Sequence, residues 1–167
     1  MEIRIFMKRS NIPQTAILAM GSFWEAEDFF SSLKGVIKTR VGYCGGIKEN
    51  PSYHNLGDHS ESVEITFDPK KITYSELLDR FWGQHDPCAK RPIQYWSAVF
   101  TLGRDQYEIA RQSKKNREKA SRENIKTVIK PACFFYPAEK RHQGYLANKK
   151  SNHCQGKQAT MPRIAQI

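Results

Sequence analysis

Ala16-Ile-Leu-Ala-Met20 runs straight into Gly21-Ser22-Phe23-Trp24-Glu25-Ala26-Glu27-Asp28-Phe29-Phe30, and the fold turns on how this stretch is read. Residues 16–20 are uniformly apolar, the pattern of a strand covered on both faces and therefore central in its sheet. Beyond Gly21 the period changes. Phe23, Ala26, Phe30 and Leu33 recur at helical spacing as far as Lys34-Gly35, where a glycine suits the C-terminal cap. A strand handing over to a helix puts Ser22 where backbone N–H groups and the helix dipole favour an anion. The same serine opens Ser22-Phe-Trp-Glu25, a capping box in which its hydroxyl would satisfy helix donors, so spacing alone leaves a chemical and a structural role both open. It is no esterase elbow, because no glycine stands two residues after it.

Working outward, residues 36–43 read as a strand with Ile37, Thr39, Val41 and Tyr43 on one face, ended by the turn glycines of Cys44-Gly-Gly46. Residues 47–60 lack periodicity and form a polar loop. Residues 61–67 alternate, which puts Glu61 on the same face as Val63, Ile65 and Phe67. A carboxyl at the end of a buried face has its pKa raised by desolvation, making Glu61 a candidate acid. Thr73-Tyr-Ser-Glu76 is a capping box ahead of the helical stripe Tyr74, Leu77, Leu78, Phe81 and Trp82. A strand over 95–102, a charged surface helix over 104–122 and an edge-like strand over 125–135 follow. Pro137 is expected to open a last short helix ending near Leu146. Alternating elements of these lengths predict one mixed α/β sandwich.

Composition narrows the function classes. The 167 residues carry 27 Lys+Arg against 17 Asp+Glu, a net charge of +10, with 39% hydrophobic residues. That is enough apolar material for one globular domain and excludes a wholly disordered basic chain. No apolar run approaches the roughly 20 residues of a membrane span, and the N-terminus has no secretory h-region, so a cytoplasmic home is expected. Residues 126–167 hold eight basic residues and one acid, so +7 of the charge lies there. This motivates an alternative reading, a basic module for nucleic acid or an acidic protein partner, although no nucleic-acid motif accompanies it. Cys44, Cys88, Cys133 and Cys154 lack C-x-x-C spacing, and His85-x-x-Cys88 with Cys133, His142 or His153-Cys154 matches no closed zinc set, so no metal is expected.

Gly21-Ser22-Phe23-Trp24 with Glu27 resembles the G-C-F-W-x-x-E signature of the A-type peptide methionine sulfoxide reductases, with Ser22 in place of the catalytic cysteine. Further matches follow in order: Val41-Gly42-Tyr43 with Gly45-Gly46, Asn50-Pro51-Ser52-Tyr53, His59-Ser60-Glu61, Phe67-Asp68-Pro69, Phe81-Trp82 with His85-Asp86-Pro87, Gln94-Tyr95, and Phe135-Tyr136-Pro137-Ala138-Glu139 with His142-Gln143. The resemblance implies a mixed-sheet two-layer sandwich of the split βαβ, ferredoxin-like type over residues 15–146, with an N-terminal arm (1–14) and a basic C-terminal tail (147–167).

It also implies a reaction: a thiolate attacks the sulfur of methionine S-sulfoxide, free or in proteins, while an acid protonates the oxygen. Methionine leaves, and the enzyme's sulfenic acid is reduced through a resolving cysteine and thioredoxin or another thiol, with no bound cofactor. By resemblance, Phe23 and Trp24 form the pocket for the methyl group. Tyr53, Glu61 and Tyr95 bond the sulfoxide oxygen with Glu61 as acid, Cys154 is the candidate resolving thiol, and a monomer is expected. The chain departs from the pattern at 87–94, which lacks the N-D-x-G of many relatives, and at Trp96, where arginine is common. Ser22 matters most. A hydroxyl does not ionise like a thiol and cannot become a reducible sulfenic acid, so the expectation is an engineered variant or natural relative that binds without turning over.

Overall fold

The computed structural model describes residues 12–156, with side chains as far as Ser151. The elements run β1 (Gln14–Met20), α1 (Phe23–Ser31), β2 (Val36–Cys44), β3 (Ser60–Phe67), α2 (Tyr74–Gln84), β4 (Ser97–Thr101), α3 (Arg104–Ser121), β5 (Val128–Pro131), β6 (Tyr136–Pro137) and α4 (Tyr145–Gly156). Short 3-10 turns precede β4, at Ile93–Tyr95, and α4, at Lys140–His142.

The sheet order is β5-β4-β1-β3-β2-β6. β1 lies between β4 and β3, antiparallel to both, as its unbroken apolar run requires. Since β3 is antiparallel to β2 as well, β1-α1-β2 is a split βαβ unit with β3 inserted between its strands. β3-α2-β4 repeats the device around β1. The inner order β4-β1-β3-β2 is that of a ferredoxin-like sandwich, and β5 (parallel to β4) and β6 (antiparallel to β2) extend it.

Leu18, Val63, Ile65, Phe67 and Val99 point to one face and are sealed by Ala26 and Phe30 of α1, Leu77, Leu78, Phe81 and Trp82 of α2, and Ala110 of α3. On the opposite face Ile17, Ala19, Cys44, Ala98 and Phe100 pack under Ala132 and Phe135 rather than under a helix. The capping box at Thr73 and Glu76 is formed, both hydrogen bonds being present.

Four local expectations are corrected. A β-bulge between Val36 and Lys38 breaks the alternation of β2, so Ile37 is 57% exposed, while Thr39, Val41 and Tyr43 stay in register with β3. Tyr95 ends a 3-10 turn and β4 starts only at Ser97. Residues 132–135 leave the edge strand to cover the sheet. Pro137 opens no helix: with Tyr136 it pairs against Gly42 and Tyr43, and the last helix begins at Tyr145 and runs past residue 147.

Candidate active site

Gly21 makes the turn from β1 into α1 at φ +100°, a backbone that side chains other than glycine's adopt only with strain. Ser22 follows as the N-cap, half-buried, with its carbonyl accepting from Ala26. Its hydroxyl makes no capping hydrogen bond, so the local capping box anticipated at Ser22 does not form. A different orphan donor of the first turn is satisfied from outside: the Phe23 N–H donates to Glu61 Oε2 at 3.0 Å. A carboxyl group from a central strand thus caps the N-terminal end of α1.

Glu61 is placed by β3 pairing, opposite Tyr43 of β2, and is only 2% exposed. Its Oε1 accepts from Gln94 Nε2 at 2.8 Å, and the other hydrogen of that amide reaches the Tyr95 hydroxyl oxygen at 3.2 Å. Burial pushes its pKa up, against the two hydrogen bonds that favour the ionised form, and burial wins. Burial and then the Glu61 charge raise the pKa of both the Tyr53 and the Tyr95 hydroxyl, so the three oxygens share one electrostatic neighbourhood.

The opposite wall is aromatic. Phe23 is 1% exposed, and Trp24 stacks on Tyr145 (ring centroids 4.1 Å apart) and on Tyr53 (5.9 Å). His142 lies 4.4 Å from the Tyr53 ring, and its Nδ1 accepts from Trp24 Nε1 at 3.2 Å. Arg141 Nε lies 3.2 Å from His142 Nε2. With Nδ1 accepting from Trp24, the neutral ring carries its one proton on Nε2, which lies 3.9 Å from Glu139 Oε2. Burial lowers its pKa, which the Glu139 charge only partly offsets. The result is a cage of mutually stacked rings, with a buried carboxyl and two phenols beside it. Such a site accepts a group with one methyl end and one hydrogen-bond-accepting end.

The peptide methionine sulfoxide reductase family model matches residues 14–165.

The chain belongs to this family.

It is 45% identical over 144 residues to the peptide methionine sulfoxide reductase A5 of Oryza sativa, covering 82% of this chain and 57% of that protein, so it spans little more than half the rice protein's length. Among solved structures it resembles methionine sulfoxide reductase A of Corynebacterium diphtheriae, with a TM-score of 0.77 at 31% identity over 83% of this chain and 76% of that one. It also resembles Mxr1 of Saccharomyces cerevisiae in complex with Trx2, with a TM-score of 0.62 at 26% identity over 84% and 91% of the two chains.

Within this family frame, the structure brings together Ser22, Phe23, Trp24, Tyr53, Glu61 and Tyr95. Cys154 falls in α4, but its side chain lies outside the described residues. Cys44 is fully buried on the far side of the sheet, and burial holds its thiol up at about 12, so it is neither placed nor ionised to act at this site. Among the described residues no group of three or more His, Cys, Asp or Glu is placed to hold a metal. His85 is spent on the Phe81 carbonyl and the Ser97 hydroxyl.

Sequence reasoning gave no role to Gln94, Glu139, His142 or Tyr145. The first three stand in quoted motifs, and that was their signal. Tyr145 had none. Glu139 accepts from the Tyr43 hydroxyl at 2.7 Å and from the Tyr53 N–H at 3.1 Å. Burial works against its ionisation, but these bonds and His142 prevail and hold it down at about 2. It therefore clamps the Tyr53 loop as an anion.

Proposed function

We propose that this site binds methionine S-sulfoxide, free or in proteins, and that it descends from the reductases that repair oxidised methionine. The cage of Phe23, Trp24, Tyr53, His142 and Tyr145 beside the buried Glu61 is the observation that carries this reading. The S-methyl group enters the rings, and the sulfoxide oxygen accepts from the Tyr53 and Tyr95 hydroxyls and from protonated Glu61.

Ser22 then occupies the nucleophile's position. In a cysteine form the thiolate bonds to the sulfoxide sulfur while Glu61 gives its proton to the oxygen. The hydroxyl then passes from the substrate sulfur to the enzyme sulfur as the substrate S–O bond and the transient S–S bond break. Methionine thus leaves with the electron pair, and the enzyme is left as a sulfenic acid. A dithiol reduces this acid, ending as a disulfide plus water. An alcohol offers neither the anion nor a stable oxygen-accepting state, so the Ser22 form binds and does not turn over. Thioredoxin or another small thiol is the reductant in this scheme, a reading supported by the Mxr1 complex with Trx2. Cys154 is the proposed resolving thiol.

The experiment is a gain of function. Ser22→Cys is expected to reduce methionine S-sulfoxide with dithiothreitol, where the Ser22 form releases no methionine. A folded Ser22→Cys protein that still yields none would refute the assignment.

A further inference from the structure

A cavity of about 310 Å³ is lined by Ala89, Lys90, Arg91, Trp96, Ser97, Lys126 and Val128. Three cations and an indole surround it, and no acid does. Lys90, Arg91 and Lys126 have no ion-pair partner among the described residues, where salt bridges form at Arg40, Lys71, His142 and Lys150. The neutral polar group of the lining is already engaged: the Ser97 hydroxyl bonds His85 and Thr127. Asp86, the acid of the adjoining loop, accepts from the Cys88 N–H. The cavity's shape is fixed from two sides, because the Lys126 N–H donates to the Pro87 carbonyl at 2.8 Å and Trp96 closes the 3-10 turn that presents Tyr95.

Arg91 joins this cavity to the candidate active site. Its Nη1 lies 3.1 Å from where a side chain on Gly21 would begin, and Gly21 directly precedes Ser22. A residue in extended chain advances about 3.4 Å. With the oxidised methionine over Ser22, the side chain one or two positions along the same peptide falls within reach of Arg91.

We propose that this cavity is an extension of the substrate site and takes an acidic side chain, Asp or Glu, next to the oxidised methionine of a peptide. The inference rests on the reading of the aromatic cage as the methionine sulfoxide site. Lys90, Arg91 and Lys126 supply the charge complement, and the indole of Trp96 gives the methylene stem of the acid an apolar contact. The preference is electrostatic and solvent-exposed, so its size is modest and it weakens with salt.

The Ser22 form binds without turnover, which allows an equilibrium test with end-blocked tripeptides of methionine S-sulfoxide flanked by Asp or by Asn. Blocking removes the terminal carboxylates, so only side chains are read. At low ionic strength the Asp peptide is expected to bind about five-fold tighter than the Asn peptide, and most of that margin should vanish in about 0.5 M NaCl. The double variant Arg91→Gln, Lys126→Gln should lose the margin and keep its affinity for the Asn peptide. Equal binding of the two peptides, or a margin that survives the double variant, overturns the inference while leaving the cage assignment standing. The cage assignment falls separately, and the inference with it, if neither peptide binds better than its unoxidised methionine counterpart.

Discussion

At the scale of single residues, the proposed chemistry turns on Glu61, whose burial raises its pKa above that of an ordinary carboxyl. Its burial at the end of a strand was legible from alternation alone. Its second task was not: the Phe23 N–H is capped by a side chain 38 positions away in sequence, a partner that no local pattern around Ser22 could signal. Glu61→Gln placed in the Ser22→Cys protein tests the acid role. Glutamine can donate a hydrogen bond to the sulfoxide but no proton, so the rate of methionine formation should fall by about 10² to 10⁴. The sign of the pH effect follows from the raised pKa. The acid form is present at low pH and is lost as pH rises through the raised value, so the Ser22→Cys protein should lose rate on that limb. The Glu61→Gln partner should lack the limb while still binding substrate. An unchanged rate would remove Glu61 from the reaction.

At the scale of elements, helices with a strong stripe and a local cap were readable, as α2 shows, whereas elements held by distant partners were not. β6 is two residues long and exists because Gly42 and Tyr43 of β2 offer an open edge. Gln143 continues that edge, its side chain accepting from the Val41 N–H and donating to the Val41 carbonyl at 2.9 Å each. Nothing local to Pro137 signals this. The same edge fixes the pocket wall. Tyr43, from β2, holds the Glu139 carboxylate, which in turn holds the backbone of Tyr53. Tyr43→Phe removes the hydroxyl while keeping the packed ring. It is expected to cost about 1 to 2 kcal/mol in urea unfolding, the value for a charge-assisted bond reduced for the partial exposure of Glu139. The pH dependence distinguishes this bond from packing. Glu139 is held at about 2 in the fold against an ordinary 4.5, so its contribution is present above 4.5 and disappears as pH falls towards 2. Tyr43→Phe should therefore differ most from the parent chain near neutral pH and converge with it in acid. A deficit that stays constant down to pH 2 would mean that the ring's packing, not the bond, was lost.

At the scale of the whole molecule, the two layers share one core, and β1 ties it together. Because β1 pairs with β3 on one side and β4 on the other, both split βαβ units depend on it. Leu18 is fully buried and lies in register with Val63 and Val99 across those two seams. Its place was readable from the uniform apolar run. The emptiness of the opposite case, Ile37, was not, since a one-residue bulge turns it to solvent without altering composition. The pair makes a matched test of that difference. Leu18→Ala should cost about 2 to 5 kcal/mol, the transfer of the lost carbons plus the cavity left between three strands. Against a typical total of about 5 to 15 kcal/mol, that is a large fraction, and it should lower the denaturant midpoint at unchanged slope, because one cooperative unit is being weakened. Ile37→Ala should stay within about 0.5 kcal/mol of the parent chain. If Leu18→Ala instead split the transition in two, the helical layer and the sheet would be folding as separable units, and β1 would not be the element that joins them.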